Sequence, residues 1–374
     1  MTDPAPPTPP APLMSIVLPV GDVEEFLPEC LDSVLGAPGG GLEVIAVDDA
    51  SPDDCGRILD DRAARDPRLR VIHLAESVGP GPARMRGLGE AGGTYVWFVD
   101  PDDLLAADAL AAVTARLTRD RPDLLLVDYR ILHGSGRTDP SPGAALLAAP
   151  PASPAAAVAA TVTLAERPAL VNRTMTVWSK VFRREFLIGL GVCFPPGVHE
   201  DVPVSCAALL RAERIALLDR VCYLYRRRRH SFLATTSMGH FSVFSSYESV
   251  FALMDAADGG TGGWDLPPVG APVRAAVFGR AIEHYSTVLA SGRVPRRARR
   301  EFFHRMAADY RRYRPAGYRR PPGLRGMKFA LIERDAYLAY LVLGPLNNAR
   351  VAMTRAGRAR PRVERHGRPT IRTG

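Results

Sequence analysis

The chain of 374 residues lacks the features of secreted, disulfide-rich and membrane-spanning proteins. Its five cysteines form no C-x-x-C pair, which favours free thiols in a reducing compartment. The first thirteen residues are proline-rich and carry only one charge, Asp3, so neither the basic nor the apolar part of a secretory signal is present. The apolar run at residues 336–345 is too short to cross a bilayer. We therefore expect a cytoplasmic protein.

Histidine pairs at metal-ligand spacing and internal repeats are also missing, which argues against a zinc site and against a solenoid. What is present is the composition of a globular protein, with 47% hydrophobic and 24% charged residues. The length leaves room for one domain of ordinary size and a substantial second unit.

Charge is unevenly distributed along the chain. Residues 293–374 contain 22 of the 48 basic residues but only 5 of the 40 acidic ones. The sequence thus predicts a mildly acidic body with a strongly basic C-terminal arm, and such an arm attracts polyanions. An anionic membrane surface is an expected partner, whereas nucleic acid is not, because no recognition fold accompanies the charge.

The first third of the chain alternates between short apolar runs and amphipathic segments. The runs 15–20, 42–47, 69–74, 95–99 and 124–127 predict strands, and the segments 24–35, 53–64, 82–91 and 106–117 predict helices. This order is typical of an α/β fold with a mainly parallel sheet covered on both faces. In such sheets, ligands bind outside the carboxyl ends of the strands.

Beyond residue 235 the pattern becomes helical, with helices expected at 241–256, 272–291, 296–313 and 328–350. The last of these is amphipathic, and we expect it to pack on the body while the arginines after it sample a membrane surface. Residues 133–167, rich in proline, alanine and glycine, predict a variable loop with some helix. The predicted organisation is therefore a disordered N terminus (1–13), a catalytic domain (14–235), a helical region (236–355) and a disordered basic tail (356–374).

Acidic residues cluster at the positions where this sheet would bind a ligand. Asp48 and Asp49 end one strand, Asp100, Asp102 and Asp103 end another, and Glu200-Asp201 follows the turn 194–197. Crowded carboxylates repel one another unless a cation lies between them, and oxygen ligands suit Mg²⁺ or Mn²⁺. A single cluster is more often a strand end or helix cap. Three clusters favour a metal and phosphate site.

Seven segments in order resemble the family 2 glycosyltransferases of GT-A fold, a Rossmann-like αβα sandwich. They are residues 15–20, 43–53, 79–84, 95–103, 177–183, 199–201 and 223–231, and together they cover roughly residues 14–235. Three positions depart from the usual motifs, namely Gly21-Asp22 after the first strand, Met85 after Ala-Arg, and Pro101 within the Asp-x-Asp.

The resemblance implies a role for each matching residue. Asp49 would bind the nucleotide base with Asp48 beside it, Asp100 would touch the ribose or sugar, and Arg84 would support the donor site. Asp102 would ligate the metal together with Asp100 and Asp103. Asp201, next to Glu200, would be the catalytic base. Pro19 in the first-strand motif is assigned to donor binding.

Four consecutive arginines, Arg226 to Arg229, follow a predicted strand. The guanidinium groups of Arg226 and Arg228 are candidates to bind the donor diphosphate, since guanidinium binds phosphate in a bidentate manner. A solvated basic turn is the alternative. Trp178 is expected to pack in the core, and a role as a sugar platform is the alternative.

The predicted function is transfer of a sugar from a nucleotide-sugar, UDP-linked, to a hydroxyl of a glycan, lipid-linked or polymer acceptor of the cell envelope. Transfer would invert the anomeric centre and use a divalent metal, at the inner face of the cell membrane. A non-catalytic sugar-nucleotide or polyanion-binding module is one alternative. A transferase related to polyol-phosphate polymers is another.

Overall fold

The structure, a computed structural model, describes residues 11–36, 41–148, 161–173, 175–228, 235–259 and 268–343. Nine strands are β1 (Met14–Val20), β2 (Leu42–Asp48), β3 (Leu69–His73), β4 (Tyr95–Phe98), β5 (Leu104–Leu105), β6 (Leu124–His133), β7 (Thr138–Pro140), β8 (Lys180–Arg183) and β9 (Ile215–Arg227). The helices of the first two thirds are α1 (Leu27–Leu35), α2 (Cys55–Ala63), α3 (Pro80–Glu90), α4 (Ala109–Asp120), α5 (Ala145–Ala148), α6 (Arg184–Gly189) and α7 (Asp201–Arg211).

The nine strands form one mixed sheet rather than the mainly parallel sheet that the sequence predicts. Its order is β3-β2-β1-β4-β8-β6-β9-β5, with β7 paired to β6. Strands β3, β2, β1 and β4 are parallel, but β8 runs antiparallel to both of its neighbours, β4 and β6. Strand β8 is only four residues long, and the sequence pattern does not predict whether it runs parallel or antiparallel to its neighbours.

The position of β1 in the middle of the parallel strands follows from its composition. All seven residues of Met14–Val20 are buried, as expected for a strand covered on both faces. Alternate residues point to opposite faces, so Ile16 and Leu18 join one core and Val17 joins the other. Val20 pairs with Asp48 in parallel register, and β4 ends two residues before Asp100. The acidic residues that follow β2 and β4 therefore lie at one edge of the sheet.

Helices cover the two faces separately. On one face, α1, α2 and α4 pack through residues such as Leu31, Leu59 and Val113. On the other face, α7 and the C-terminal helices share a core with β1, which includes Val17 and Tyr247. The segment 133–167 contains the hairpin of β6 and β7 and the short helix α5, while residues 149–160 lie outside the described residues.

The C-terminal region is helical as predicted. It contains α8 (Ser242–Gly259), α9 (Ala271–Ala290), α10 (Arg299–Tyr313), α11 (Gly323–Glu333) and a last short helix at 337–343. The continuous helix expected at 328–350 is wrong, because α11 ends at Glu333 and Asp335 adopts a left-handed φ of 55°. Among the described residues, no helix is long and apolar enough to cross a membrane.

Candidate active site

Asp48 and Asp49 end β2 but have different partners. The Asp48 carboxylate accepts hydrogen bonds from the Ser51 amide at 3.1 Å and contacts His73 Nδ1 at 2.8 Å. The Asp49 carboxylate accepts three hydrogen bonds from the loop before α3, from Ser77 Oγ and from the amides of Val78 and Gly79, at 2.7–2.9 Å. Asp49 thereby fixes the loop that leads into α3.

Pro19 and His73 lie at the same edge. Pro19 is buried in β1 opposite Val47, one residue before the strand ends. His73, which the sequence reading missed, ends β3 opposite Asp48, and its hydrogen bonds to Asp48 and Asp60 raise its pKa. Only the register of β2 and β3 brings this histidine beside the carboxylate.

A buried guanidinium joins the loop after β4 to the Glu200-Asp201 dipeptide. Arg84 on α3 donates from one terminal nitrogen to Asp100 Oδ1 at 2.8 Å and from the other to Glu200 Oε1 at 2.7 Å. Its side chain is 6% exposed. Such charge-assisted hydrogen bonds are among the strongest in proteins, and a buried pair is costly to break. Glu200-Asp201 follows a loop rather than a strand, yet Arg84 brings it to the sheet edge beside Asp100.

Asp103 is fully buried and holds the loop after β4 against β9. Its two oxygens accept hydrogen bonds from the Tyr223 hydroxyl at 2.7 Å and from the Arg226 amide at 2.6 Å. The Tyr223 hydroxyl in turn accepts a hydrogen bond from the Asp100 amide at 3.1 Å. Both carboxylate oxygens are therefore used within the protein. This geometry is that of a residue that shapes the loop, and the role of Asp103 as a metal ligand stays a prediction.

An aromatic stack supports Tyr223. The Trp178 indole stacks on the rings of Tyr223 and Tyr225, with centroids 4.6 and 5.3 Å apart, and Tyr129 meets it edge-on. Trp178 is 5% exposed, which confirms the core position predicted for it. The stack fixes the direction of the Tyr223 hydroxyl toward Asp100 and Asp103.

Arg226 and Arg228 lie against the acidic loop rather than in a solvated turn. Arg228 pairs with the Asp102 carboxylate at 2.5 Å, and Arg226 donates to the Asp102 carbonyl at 2.9 Å and to Glu29 at 2.6 Å. Both guanidinium groups lie 5.2 Å from the Phe26 ring centroid. The two arginines thus present positive charge beside Asp102.

Asp201 begins α7 directly after Glu200 and lies in a crowded electrostatic environment. Burial, and then the neighbouring Glu200 carboxylate, raises the pKa of Asp201 to about 8, while the charges of Arg84 and Lys180 oppose this rise. Burial lowers the pKa of the Lys180 ammonium to about 7. A carboxylate whose pKa lies near neutral pH is suited to accept a proton. Lys180 was not predicted as a site residue, because nothing in the sequence shows that it faces Asp201.

The structure thus brings together most of the predicted site residues. Linked hydrogen bonds and ion pairs connect Arg84, Asp100, Asp102, Asp103, Glu200, Arg226 and Arg228. Among the described residues, none of these contacts reaches Asp48 or Asp49, which lie at the neighbouring strand end. The arrangement has an acidic centre with guanidinium groups around it and a carboxyl that can act as a base.

Comparisons with known proteins show what this chain is similar to. Residues 15–144 match the model of glycosyl transferase family 2. The uncharacterized glycosyltransferase EpsJ of Bacillus subtilis is 32% identical over 225 residues, which are 59% of this chain and 62% of that protein. Over residues 15–144 the chain is thus similar to glycosyltransferase family 2.

Two further comparisons concern one protein of Staphylococcus aureus. The poly(ribitol-phosphate) beta-N-acetylglucosaminyltransferase TarS is 28% identical over 220 residues, 58% of this chain and 35% of that protein. A crystal structure of TarS residues 1–349 with UDP-GlcNAc superimposes with a TM-score of 0.69 at 19% identity, over 90% of this chain and 91% of that one. The fold of this chain is therefore GT-A with C-terminal helices, as predicted. The chain spans less than two thirds of the full length of these curated relatives.

The carboxylates of this site fit a divalent cation that takes most of its ligands from a substrate. Burial raises the pKa of Asp102 and the Asp100 charge raises it further, which is the crowding that a cation would relieve. Among the described residues, no group of three or more His, Cys, Asp or Glu side chains could hold a metal alone. Asp100 and Asp102 thus suit Mg²⁺ or Mn²⁺ shared with phosphate oxygens, a common arrangement for these ions.

Proposed function

We propose that this chain transfers a sugar from a UDP-linked donor to a hydroxyl of a cell-envelope acceptor, with inversion. The main support for the proposal is the pair of hydrogen bonds that the buried Arg84 guanidinium donates to Asp100 and Glu200, since they hold these two residues together. A residue of the metal and diphosphate loop and the dipeptide that contains the base are thus fixed in one rigid unit. Single displacement needs this proximity of donor and base.

Each part of the site has a proposed task. Asp49 and the loop it orders bind the nucleoside, with Asp48 and Pro19 shaping that edge. Arg226 and Arg228 bind the diphosphate, and Asp100 and Asp102 hold the divalent metal that is typical of GT-A enzymes. When bound, the metal neutralises charge on the leaving diphosphate.

Asp201 is the proposed base. In its ionised form, its carboxylate accepts the proton of the acceptor hydroxyl while the oxygen attacks the anomeric carbon. Arg84 and Lys180 favour that ionised form, and Glu200 opposes it. No second carboxylic acid is needed, because the diphosphate leaves without protonation.

The acceptor is proposed from the relatives and from charge. TarS is named for transfer to poly(ribitol-phosphate), a polyanionic polymer, and the strongly basic C-terminal part of this chain is suited to a polyanion or an anionic membrane surface. We therefore propose a polymer, glycan or lipid-linked acceptor presented at the inner face of the cell membrane.

A donor assay with the full chain tests the proposal. UDP-GlcNAc, UDP-glucose and UDP-galactose are offered with Mn²⁺, and both binding and release of UDP are measured. We expect Asp201→Asn to lower turnover by about 10²–10⁴-fold with donor affinity retained. Asp102→Asn should weaken donor binding in the presence of metal.

The matched control is Asp61→Asn, which changes an exposed ion pair with Arg57 on α2. This variant should turn over like the wild type. Normal transfer by Asp201→Asn would refute the assignment of the base. Donor binding without turnover by any protein in the series, with every acceptor offered, would instead favour a sugar-nucleotide-binding module.

A further inference from the structure

Three imidazole rings meet directly beside the proposed catalytic dipeptide. His199 precedes Glu200, His240 lies in the short 3-10 turn Met238–Phe241, and His284 lies on α9. His199 Nε2 is 3.2 Å from His240 Nδ1, and the ring centroid of His284 is 4.9 Å from that of His199 in an edge-on arrangement. The cluster therefore joins the loop before α7 to two elements of the helical region.

The hydrogen bonds of the cluster have one consistent direction. The Thr235 carbonyl lies 2.9 Å from His240 Nε2 and can only accept, so His240 carries its proton on Nε2. In neutral His240, Nδ1 is then an acceptor, and His199 donates to it from Nε2. The side chain of His199 is thus held in one orientation by two consecutive hydrogen bonds, from His199 to His240 and from His240 to the Thr235 carbonyl.

The backbone of His199 is held as firmly as its ring. Its φ of 66° lies in the left-handed region, which is unfavourable for a residue other than glycine unless its surroundings compensate. The Ser246 hydroxyl of α8 donates to the His199 carbonyl at 3.1 Å, and the Ser242 hydroxyl donates to the carbonyl of Val198. The helical region therefore imposes the turn from which Glu200 and Asp201 emerge.

Burial, with neighbouring positive charges, keeps the cluster neutral. Burial, followed by His240 and Arg293, lowers the pKa of His199 to about 3. Burial also lowers the pKa of His284, with His199, Arg280, Arg293 and His240 adding to the effect. A neutral chain keeps the donor and acceptor roles fixed across physiological pH.

We propose that His199, held by His240, His284 and Ser246, is a positioning residue that fixes Glu200 and Asp201 against Arg84. Through it, the helical region sets the place of the base and is part of the catalytic apparatus. This inference rests on the proposed function of Asp201. It assigns the cluster no contact with substrate and no proton transfer.

Two variants of His240 test the proposal in the full chain. His240→Phe keeps the ring volume but removes the acceptor for His199, and we expect kcat for sugar transfer to fall at least about tenfold while the donor Kd stays within about twofold. His240→Asn offers a carbonyl oxygen near the position of Nδ1 and should recover most of kcat. His304→Phe is the control. His304 on α10 forms a hydrogen bond with Asp335, so this substitution loosens the helical region away from the cluster.

Hydrogen exchange supplies a readout that does not need turnover. We expect faster exchange of the amides at residues 199–203 in His240→Phe but not in His304→Phe. Unchanged exchange there, or a kcat that falls equally in both variants in step with their Tm, would overturn the positioning role. A wild-type protein that binds no UDP-sugar would refute the proposed function, and the exchange comparison would still decide whether the cluster orders the dipeptide.

Discussion

At the scale of single residues, Asp201 lies where its ionised form is disfavoured, a state that natural proteins keep mainly where function needs it. Its raised pKa of about 8 means that the native carboxyl holds a proton which an unfolded aspartate loses near pH 4. Between these two pH values the unfolded chain binds fewer protons. The free energy of unfolding therefore falls as pH rises through this range.

Replacing Asp201 by Asn should stabilise the protein although it slows transfer. Because Asn does not titrate, the gain in Tm over the wild type should grow from pH 5 to pH 8. Thermal unfolding without metal at several pH values measures this gain. A difference in Tm that stays constant with pH would show that the Asp201 carboxyl is not strained in this way.

Lys180 should tune the proton affinity of the base. Lys180→Met removes a positive charge that lowers the pKa of Asp201, so the acid limb of the profile of kcat/KM against pH should move to higher pH. Activity should fall at pH 7 and recover at higher pH. Lys328→Met, a change at the other lysine of the chain, is the control and should leave the profile in place.

At the scale of elements, helix α3 determines how closely the loop that contains Glu200 approaches Arg84. It begins at Pro80, two residues earlier than the sequence pattern predicts, directly after Gly79 with a φ of 86°. A Cβ on Gly81 would lie 3.0 Å from Phe194 Cβ and 3.3 Å from Glu200 Cγ. The absence of a side chain at Gly81 lets the loop with Glu200 reach Arg84.

Gly81→Ala should therefore separate Arg84 from Glu200 and lower transfer activity, by about 10-fold or more. Gly89→Ala on the same helix is the matched control, because a Cβ there meets nothing within 4 Å. That control should be active and more stable by about 0.5–1 kcal/mol, since Ala favours a helix over Gly. Equal activity of the two variants in the donor assay would refute the close-approach argument.

The sequence predicts well those parts of the fold that neighbouring residues determine. It predicts less well those parts that depend on contacts between residues far apart in the chain. Apolar runs located β1 to β4 and their helices to within a few residues, since burial on both faces leaves a clear pattern. The direction of β8 and the break after Glu333 depend on pairing and on tertiary packing. The hydrogen bond that ties Asp103 to Tyr223 was not predicted either, because the two residues lie 120 positions apart in the chain.

At the scale of the whole molecule, most of the excess positive charge lies in a different part of the sequence from the acidic residues of the proposed site. The described C-terminal helices pack on the face of the sheet opposite α1, α2 and α4, and the basic residues extend beyond them to the end of the sequence. An acidic edge for which a metal is proposed and a basic C-terminal sequence do not compete for the same ligands. The basic part can bind a polyanion while the site binds the donor.

Deleting residues 356–374, which contain six arginines and Glu364, should shift the protein from the membrane fraction to the soluble one. Each arginine near an anionic surface contributes about 1 kcal/mol, so binding to phosphatidylserine vesicles should fall at least about tenfold. Co-sedimentation measures this. A full-length variant with these arginines replaced by Gln should behave like the deletion, and unchanged partitioning of both would exclude a membrane role for the tail.

The stacked rings of Trp178, Tyr223 and Tyr225 also give the molecule an optical property. Trp178 shares a hydrogen bond with Trp97, whose Nε1 donates to the Trp178 carbonyl at 2.8 Å. Of the three tryptophans, only Trp264 lies outside the described residues, and Trp264→Phe leaves two buried emitters beside the acidic loop. Because Tyr223 bonds to both Asp100 and Asp103, a donor that rearranges this loop changes the surroundings of the indole. We therefore expect the intrinsic fluorescence of the Trp264→Phe protein to change when a UDP-sugar is titrated in, and it can then report occupancy of the proposed site.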